Sequence, residues 1–351
     1  MKTRAAILVE SNQPLVVDEI DLPALYVGQV LVKIGVSGIC GAQLGEIAAV
    51  KGPDKFLPHL LGHEGGGVVE EVGPGVTQVK PGDHVCLHWR KGAGIQAQPA
   101  TYVWNGKTVN SGWVTTFSQY SIVSENRVTK IPKETDFDIA ALMGCAVTTA
   151  LGLINNDAMV KIGQSVAVFG CGGVGLSVVQ GAALVSAWPI IAVDVYDRKL
   201  EVARQFGATH ALNGKTADLR AEIRRIVGPS GVDVAVENTG NVKVIETAYA
   251  VTAPQGRTIL VGVPRHDEDI TIHSLPLHFG KVLTGCEGGH SQPATDIPRY
   301  LRLYQAGKLK LDTLITHRFP LERINDALQV VRQGQAGRCV LEMPSGPIGN
   351  G

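Results

Sequence analysis

The sequence has no excess of either charge, no clustered cysteines and no internal repeat, and each absence excludes a class of protein. With 32 basic and 32 acidic residues, it carries no electrostatic pattern for nucleic acid or for an anionic membrane. Its six cysteines are widely spaced and include no Cys-x-x-Cys pair, unlike the disulfide framework of small secreted proteins. The N-terminal apolar run is too short for a signal peptide and ends at Glu10. We therefore expect a cytoplasmic protein without nucleic-acid or membrane partners.

One long segment, Ile162 to Val193, lacks charge altogether and is long enough to span a bilayer. Several glycines and Pro189 interrupt it. Buried strands of a parallel sheet are covered on both faces, so they also read as continuous apolar runs. We therefore predict a strand, a glycine turn, a buried helix and a second strand in this segment, rather than a membrane helix.

The first 146 residues are rich in short β-type runs separated by glycine and proline. These runs are Ala5–Val9, Val30–Ile34, Gly67–Val72, His84–Leu87, Thr101–Trp104 and Lys107–Asn110. The last two flank Asn105-Gly106, a pair that predicts a two-residue hairpin turn. The pattern favours an antiparallel, barrel-like domain.

From residue 147 onwards, strands and helices alternate, which predicts a doubly wound parallel (Rossmann) sheet. The predicted strands are Val166–Phe169, Ile190–Val193, Val232–Glu237 and Thr258–Val261, and the predicted helices lie near 174–187, 197–206, 216–227 and 241–252. After residue 286 the pattern turns helical, and a helix near 324–331 ends before Gly334. The length of 351 residues suits two domains. We predict an α/β dinucleotide-binding domain over 147–286 and a β-rich catalytic domain made of 1–146 and 287–351.

A dinucleotide site is predicted at the glycine-rich turn after the strand Val166–Phe169. The turn reads Gly170, Cys171, Gly172, Gly173, Val174, Gly175, which is G-x-G-x-x-G at the start of a helix. Its glycines allow a tight turn and a close approach of backbone N–H groups to a pyrophosphate, next to the positive end of the helix dipole. Asp194 follows about twenty residues later, where a carboxylate accepts from a ribose hydroxyl and disfavours the 2′-phosphate of NADP. The sequence therefore predicts NAD, with Lys199 as a candidate contact to the adenosine.

The chemically unusual residues of the first domain are Cys40, His63, Glu64 and Cys145. Two thiolates and an imidazole suit Zn²⁺, and three protein ligands with one open position are typical of a catalytic rather than a structural site. Their wide spacing does not by itself show that they converge, because a buried cysteine is usually only a small apolar residue.

The residues around this set resemble a known family. Gly62-His63-Glu64, followed by Gly67, Gly73 and Val76, is similar to the signature of the zinc-containing alcohol dehydrogenases in the medium-chain dehydrogenase/reductase superfamily. Further similar segments run along nearly the whole chain: Gly38–Gly41, Lys80–Asp83, the Gly170–Gly175 turn, Leu260–Val263 and Ile315–His317.

The resemblance implies a role for several residues. Cys40, His63 and Cys145 match the catalytic zinc ligands, and Glu64 matches an acidic neighbour that can approach the metal. Thr149 matches a residue that packs on the nicotinamide, Val263 a backbone contact to the carboxamide, and Arg338 a contact to the pyrophosphate. It implies a hydride transfer between an alcohol or carbonyl compound and NAD, with zinc as the Lewis acid. It also implies a homodimer or homotetramer.

The sequence departs from the family pattern in two places. Many relatives hold a second, structural zinc with four clustered cysteines, but residues 90–112 contain none, so we predict one zinc per chain. Near the site, Ala42 stands where a proton-relaying Ser or Thr is usual, Gln43 where an Asp orients the zinc histidine, and Gly45 where a histidine is frequent. The Gln43 amide oxygen is expected to accept from His63. The usual proton route is replaced by Glu46, by a water chain or by a group of the substrate itself.

The substrate is the least determined feature of the sequence. Gln43, His88 and Trp89 are candidates for lining its pocket, and Arg90 and Lys91 favour a polar substrate such as a sugar or cyclitol. The missing relay residue at Ala42 leaves an alternative open: an enzyme that holds NAD tightly and oxidises and then reduces its substrate, for net epimerisation or elimination. A protein that binds NAD without catalysis is disfavoured because the whole Cys–His–Glu–Cys set is present.

Overall fold

The computed structural model describes residues 1–334 and 336–344 of the chain. They fall into two compact units. Unit 1 comprises Met1–Cys145, Gln292–Ala306 and Leu311–Gly351, and unit 2 comprises Ala146–Ser291 and Gly307–Lys310.

Strands and helices are numbered along the chain. The strands are β1 (Lys2–Leu8), β2 (Val16–Asp21), β3 (Gln29–Ile39), β4 (His59–Leu60), β5 (Glu64–Val72), β6 (His84–His88), β7 (Tyr102–Trp104), β8 (Lys107–Val109), β9 (Tyr120–Ser124), β10 (Val128–Lys130), β11 (Val166–Phe169), β12 (Ile190–Asp194), β13 (His210–Asn213), β14 (Val232–Glu237), β15 (Thr252–Leu260), β16 (Val282–Gly285), β17 (Ile315–Pro320) and β18 (Arg338–Glu342). The helices are α1 (Gly41–Ile47), α2 (Phe137–Met143), α3 (Ala146–Gly152), α4 (Gly173–Leu184), α5 (Asp197–Gln205), α6 (Leu219–Val227), α7 (Val242–Val251), α8 (Pro293–Gln305) and α9 (Ile324–Arg332).

Unit 1 is built on two largely antiparallel sheets, in agreement with the predicted barrel-like class. One has the order β4-β1-β2-β7-β8, and the other β10-β6-β5-β3-β18-β17 with β9 also paired to β3. Alternate side chains of β3 and β5 point into a core that includes Val30, Val32 and Val69. The apolar face of α9 packs on this core through Ile324 and Leu328. Burial of this face, rather than helix propensity, holds so short a helix in place.

The predicted hairpin is confirmed. β7 and β8 pair as antiparallel neighbours, with Trp104 opposite Lys107. Asn105 and Gly106 have φ angles of 50° and 74°, the left-handed values that a type I′ turn requires at both positions. Few residues other than Asn and Gly adopt this pair of angles without strain.

Unit 2 is a parallel sheet with the order β13-β12-β11-β14-β15-β16. Counted from β11, this is the strand order 3-2-1-4-5-6 of a doubly wound dinucleotide-binding fold. The uncharged segment from 162 to 193 forms β11, α4 and β12, as predicted, and the residues of β11 are fully buried. No single helix within residues 1–334 and 336–344 is long and apolar enough to cross a membrane; the short consecutive helical segments Phe137–Met143 and Ala146–Asp157 pass that test only as a bent pair.

Several elements were not predicted from the sequence, and two cases show why. Strand β13 was not predicted, because its sequence His-Ala-Leu-Asn has no β-branched residue and it gains its conformation by pairing with β12. The segment after 286 is not simply helical, since β17 and β18 lie there and β18 pairs with β3. Strand pairing between residues so far apart in sequence overrides local pattern.

Candidate active site

The three predicted metal ligands converge in unit 1. Cys40 lies directly after β3 and precedes α1, His63 lies just before β5, and Cys145 follows α2. One ligand atom from each lies within 4.8 Å of those of the other two. The metal-ligand geometry that the sequence left undetermined is therefore present.

The turn that carries His63 depends on Gly62. This glycine has a φ of +90°, and a Cβ added there would lie 2.5 Å from Thr116 Oγ1 and 2.9 Å from the Phe117 backbone nitrogen. A side chain at this position is excluded by both conformation and space. Gly62 thus allows the chain to turn from β4 into β5 with the imidazole facing the two thiols.

His63 presents an unsatisfied nitrogen to the site. Its Nε2 atom is buried and has no hydrogen-bond partner among the described residues. A buried polar atom without a partner is costly unless something else binds it, and a metal ion is a natural acceptor of this lone pair. This observation supports the fit of a metal to the Cys–His–Cys set.

Gln43 contacts the other nitrogen of His63, but in the orientation opposite to the predicted one. Its Oε1 accepts the Cys40 backbone N–H at 2.9 Å, and its Nε2 faces His63 Nδ1. The prediction that the amide oxygen accepts from His63 is therefore corrected. The difference arises because the Gln43 oxygen accepts the Cys40 N–H, which has no partner within α1. The amide NH2 group then faces the imidazole.

The two cysteines interact directly with each other. A hydrogen bond between the two side chains lowers the pKa of the Cys40 thiol well below its usual value, and the same bond raises the pKa of Cys145. Thiolate is the form of cysteine that binds metal, and a divalent cation favours deprotonation of both sulfurs. The donor set of two sulfurs and one imidazole nitrogen matches catalytic zinc.

Glu64 is fully buried beside this set and pairs with Arg338, which is 5 % exposed. Burial raises the pKa of Glu64, although the positive charge of Arg338 acts in the opposite direction. Its Oε2 has no hydrogen-bond partner among the described atoms. The sequence missed this pair, because nothing local links residues on β5 and β18; the predicted contact of Arg338 with a pyrophosphate stays a prediction.

The predicted dinucleotide turn lies between β11 and α4 in unit 2. Gly170 has a φ of +90°, and a Cβ on Gly175 would lie 1.9 Å from the Gly170 carbonyl oxygen. Around Gly172, in contrast, no protein atom lies within 4 Å of an added Cβ. The first and last glycines are therefore required by the fold, whereas Gly172 keeps open the space that a pyrophosphate needs.

Asp194 ends β12 next to this turn. Its carboxylate accepts the backbone N–H of Cys171 at 2.7 Å, of Val195 at 2.8 Å and of Tyr196 at 3.0 Å. Two oxygens offer about four lone-pair positions, so one remains for a ribose hydroxyl. Lys199, on α5, places its ammonium 5.3 Å from the centre of the Tyr196 ring.

The remaining predicted cofactor residues also lie in unit 2. Gly173 and Val174 form the first turn of α4, and Thr149 is buried in α3. Val263 follows β15 with 63 % of its surface exposed, and its carbonyl oxygen lies only 2.6 Å from the position of a Cβ on Gly240. Their contacts with a cofactor stay predictions.

The predicted pocket residues His88 and Trp89 lie at the end of β6 and directly after it. His88 is 1 % exposed, and its ring nitrogens contact the Arg90 carbonyl oxygen at 2.8 Å and Thr129 Oγ1 at 2.9 Å. Burial lowers the pKa of His88 to about 4. Both ring nitrogens of His88 therefore have partners within the protein, and its place in a substrate pocket stays a prediction. Trp89 is half-buried against the unit 1 core, with the Arg90 guanidinium 5.8 Å from its ring centre.

Glu46, the proposed substitute in the proton route, is exposed on α1, and partial loss of solvent around its carboxyl group raises its pKa, while the nearby His63 and His59 act in the opposite direction. Its carboxyl group therefore interacts electrostatically with a zinc ligand. Ala42, one helical turn earlier, is exposed and has no group that carries a proton.

A dinucleotide turn on a doubly wound sheet and a convergent, partly buried Cys–His–Cys set define the class of a metal-dependent dehydrogenase. Two family models match the chain: "Alcohol dehydrogenase GroES-like domain" over residues 27–133 and "Zinc-binding dehydrogenase" over 173–306. The chain belongs to the zinc-containing alcohol dehydrogenases of the medium-chain dehydrogenase/reductase superfamily, and it is an oxidoreductase that acts on an alcohol.

Known relatives extend over the full length of the chain. It is 34 % identical to S-(hydroxymethyl)glutathione dehydrogenase of Paracoccus denitrificans, with 97 % of this chain and 100 % of the relative covered. The alcohol dehydrogenase class-3 of Cereibacter sphaeroides has the same identity and coverage. Among solved structures, the benzyl alcohol dehydrogenase of Acinetobacter calcoaceticus superimposes with a TM-score of 0.88 at 28 % identity, covering 98 % of this chain and 100 % of that one.

Proposed function

We propose that this enzyme transfers hydride between an alcohol and NAD, with one Zn²⁺ per chain held by Cys40, His63 and Cys145. The observation that carries the proposal is the convergence of these three ligand atoms within 4.8 Å. When bound, zinc supplies Lewis-acid activation of the substrate oxygen and NAD supplies the hydride acceptor.

Each part of the chain has a defined task in this proposal. The two sulfurs and His63 Nε2 hold the metal, and Gln43 lies against Nδ1, the other ring nitrogen. The open space at Gly172 admits the pyrophosphate, and Asp194 accepts a ribose hydroxyl. A neutral Ala42 cannot move the alcohol proton, so Glu46 is the nearest candidate on α1 for that step.

The metal content tests the first part of the proposal. Elemental analysis of the purified protein is expected to find one zinc per chain, and Cys145→Ser is expected to lose most of it. Cys86→Ser is a matched control, because Cys86 is buried in β6 with its thiol on the Ala140 carbonyl oxygen. Two zinc ions per chain, or equal zinc in both variants, would contradict the proposal.

The substrate class is inferred from the relatives together with the pocket residues. The polar sugar or cyclitol substrate was favoured by Arg90 and Lys91, beside His88 as a candidate lining residue, whose imidazole is engaged by the Arg90 carbonyl oxygen and Thr129. We propose instead a primary alcohol, with the hydroxymethyl adduct of glutathione as the first candidate, because a full-length relative is named S-(hydroxymethyl)glutathione dehydrogenase and another is an alcohol dehydrogenase. A homodimer or homotetramer is the assembly that the family favours.

A substrate panel tests this choice. NADH absorbance is followed with formaldehyde plus glutathione, benzyl alcohol, aliphatic alcohols, sugars and cyclitols. We expect kcat/KM for the glutathione adduct or benzyl alcohol to exceed that for any polyol by at least about tenfold, or about 1.4 kcal/mol in transition-state stabilisation. A preferred polyol would restore the sugar or cyclitol prediction, and conversion without NADH accumulation would establish the epimerising alternative.

A further inference from the structure

Arg127 is a buried cation that forms no ion pair with the residues that the structure describes. It lies at the end of a short 3₁₀ turn, Glu125–Arg127, and is 5 % exposed. Its Nε and Nη1 atoms are both buried and have no hydrogen-bond partner among the described residues. Charged side chains are rarely buried in this way unless something pairs with them.

The neighbouring acid does not serve this purpose. The Glu125 carboxylate accepts the backbone N–H groups of Thr77, Gln78 and Ile95 at 2.6 to 2.8 Å. Among the residues that the structure describes, no carboxylate lies within ion-pair distance of Arg127. The Glu125 carboxylate is therefore engaged by backbone N–H groups, and Arg127 has no ionic partner among the described residues.

The charge of Arg90, which acts on Arg127, has the same sign. Burial lowers the pKa of Arg127, and the positive charge of Arg90 lowers it further. Trp113 offers partial compensation, since its ring centre lies 5.2 Å from the Arg127 guanidinium carbon. A second buried donor, Asn126 Nδ2, also lacks a hydrogen-bond acceptor in the described chain.

We propose that Arg127, Arg90 and Asn126 Nδ2 form a binding site for an oxyanion of the phosphate or sulfate type. All three offer N–H donors, so the ligand they fit supplies acceptor oxygens and negative charge. Trp113 is 45 % exposed and lies over Arg127, which places the entrance of the site at the surface of unit 1. The site shares no residue with the Cys–His–Cys set or with the glycine turn, so it is independent of the proposed function.

An oxyanion site and a purely structural arginine predict opposite responses to Arg127→Met. Methionine removes the charge and retains the apolar stem, so without oxyanion the variant is expected to be as stable as the wild type or more stable. In saturating sulfate the wild type is expected to be more stable than Arg127→Met, because only the wild type gains free energy from binding the anion. At ten times the dissociation constant, the wild-type melting temperature is expected to rise by about 2 °C.

The experiment measures thermal melting and tryptophan fluorescence of the full chain in sodium chloride, sulfate and phosphate at matched ionic strength. Trp113→Phe is expected to lose most of the oxyanion-dependent fluorescence change and to keep the melting shift. Arg323→Gln, an exposed arginine paired with Asp326 at 2.8 Å, is the control and keeps both responses. A glycerol phosphate arm identifies the source: tighter binding than inorganic phosphate assigns the site to an organic phosphate, and weaker binding assigns it to the free ion.

Several results would overturn the site. They are a wild type without a saturable response beyond that to chloride, an Arg127→Met variant with an undiminished response, and an equal loss of stability in that variant with and without sulfate. If Arg127→Met does not fold, Arg90→Gln serves instead, and an oxyanion affinity unchanged from wild type would count against the proposal.

Discussion

The two glycines Gly172 and Gly175 of the dinucleotide turn should respond differently to the same change, replacement by alanine. A Cβ on Gly172 meets no protein atom within 4 Å, whereas a Cβ on Gly175 would lie 1.9 Å from the Gly170 carbonyl oxygen. The first variant is therefore expected to leave the stability unchanged and the second to deform the turn. Overpacking of this kind costs about 1–3 kcal/mol, or more where the obstacle is backbone.

Cofactor binding should separate the same two variants. The methyl group of Gly172→Ala occupies the space reserved for the pyrophosphate, so we expect at least a tenfold weaker affinity for NAD, equivalent to about 1.4 kcal/mol. Gly175→Ala is expected to lose both affinity and stability. Calorimetric titration with NADH measures the first quantity and chemical denaturation the second.

Gly214 provides a control, because an alanine Cβ there would have only ordinary contacts, the nearest at 3.7 Å from Leu219 Cδ1. Gly214→Ala should keep the NAD affinity of the wild type. A Gly172→Ala protein that binds NADH as tightly as the wild type would refute the argument from close backbone approach. So would a large loss of stability in that variant.

Three further predictions concern charged groups. Asp194→Asn removes the negative charge that disfavours a 2′-phosphate, so the ratio of kcat/KM with NADP to that with NAD should rise at least about tenfold, and an unchanged ratio would contradict the role of Asp194. Arg338→Met should destabilise the zinc-free protein by about 3–5 kcal/mol because it leaves the Glu64 carboxylate buried without its partner; addition of Glu64→Gln should recover a large part of this in chemical denaturation. The pKa of His88 is lowered to about 4 by burial, so the unfolded chain takes up a proton first as the pH falls. The free energy of unfolding should therefore fall by roughly 3 kcal/mol between about pH 6.5 and 4 because of His88. In His88→Gln this contribution should be lost, and only the pH dependence due to other groups should remain.

Local patterns were sufficient to predict much of unit 2. The order of apolar run, glycine turn and helix around Gly170 identifies β11 and α4 because buried parallel strands and nucleotide turns each impose a local composition. Asp194 was predicted for the same reason, since its position follows from the end of the next strand. Strand β13 was missed because pairing with β12, rather than its own residues, keeps it extended.

Unit 1 was harder to predict because its site is made by pairing between distant segments. The convergence of Cys40, His63 and Cys145 follows from the positions of β3, β5 and α2, which no local pattern contains. The pairing of Glu64 with Arg338 joins β5 to β18 across almost the whole chain, and only the folded structure shows it. The Gln43 orientation depends on a competition between the Cys40 N–H and the His63 ring, which residue type alone does not settle.

The placement of the three ligands has a consequence for how the protein tolerates heat and storage. A metal ion that binds Cys40, His63 and Cys145 ties together a segment of chain that includes most of the strands of unit 1. A bound metal lowers the conformational entropy of the unfolded chain, as a disulfide does. Unlike a disulfide, it stabilises the fold by an amount that depends on the free concentration of the metal. The resistance of the protein to inactivation then depends partly on the free metal in the buffer. Preparations purified with and without chelator should therefore lose activity at different rates during storage.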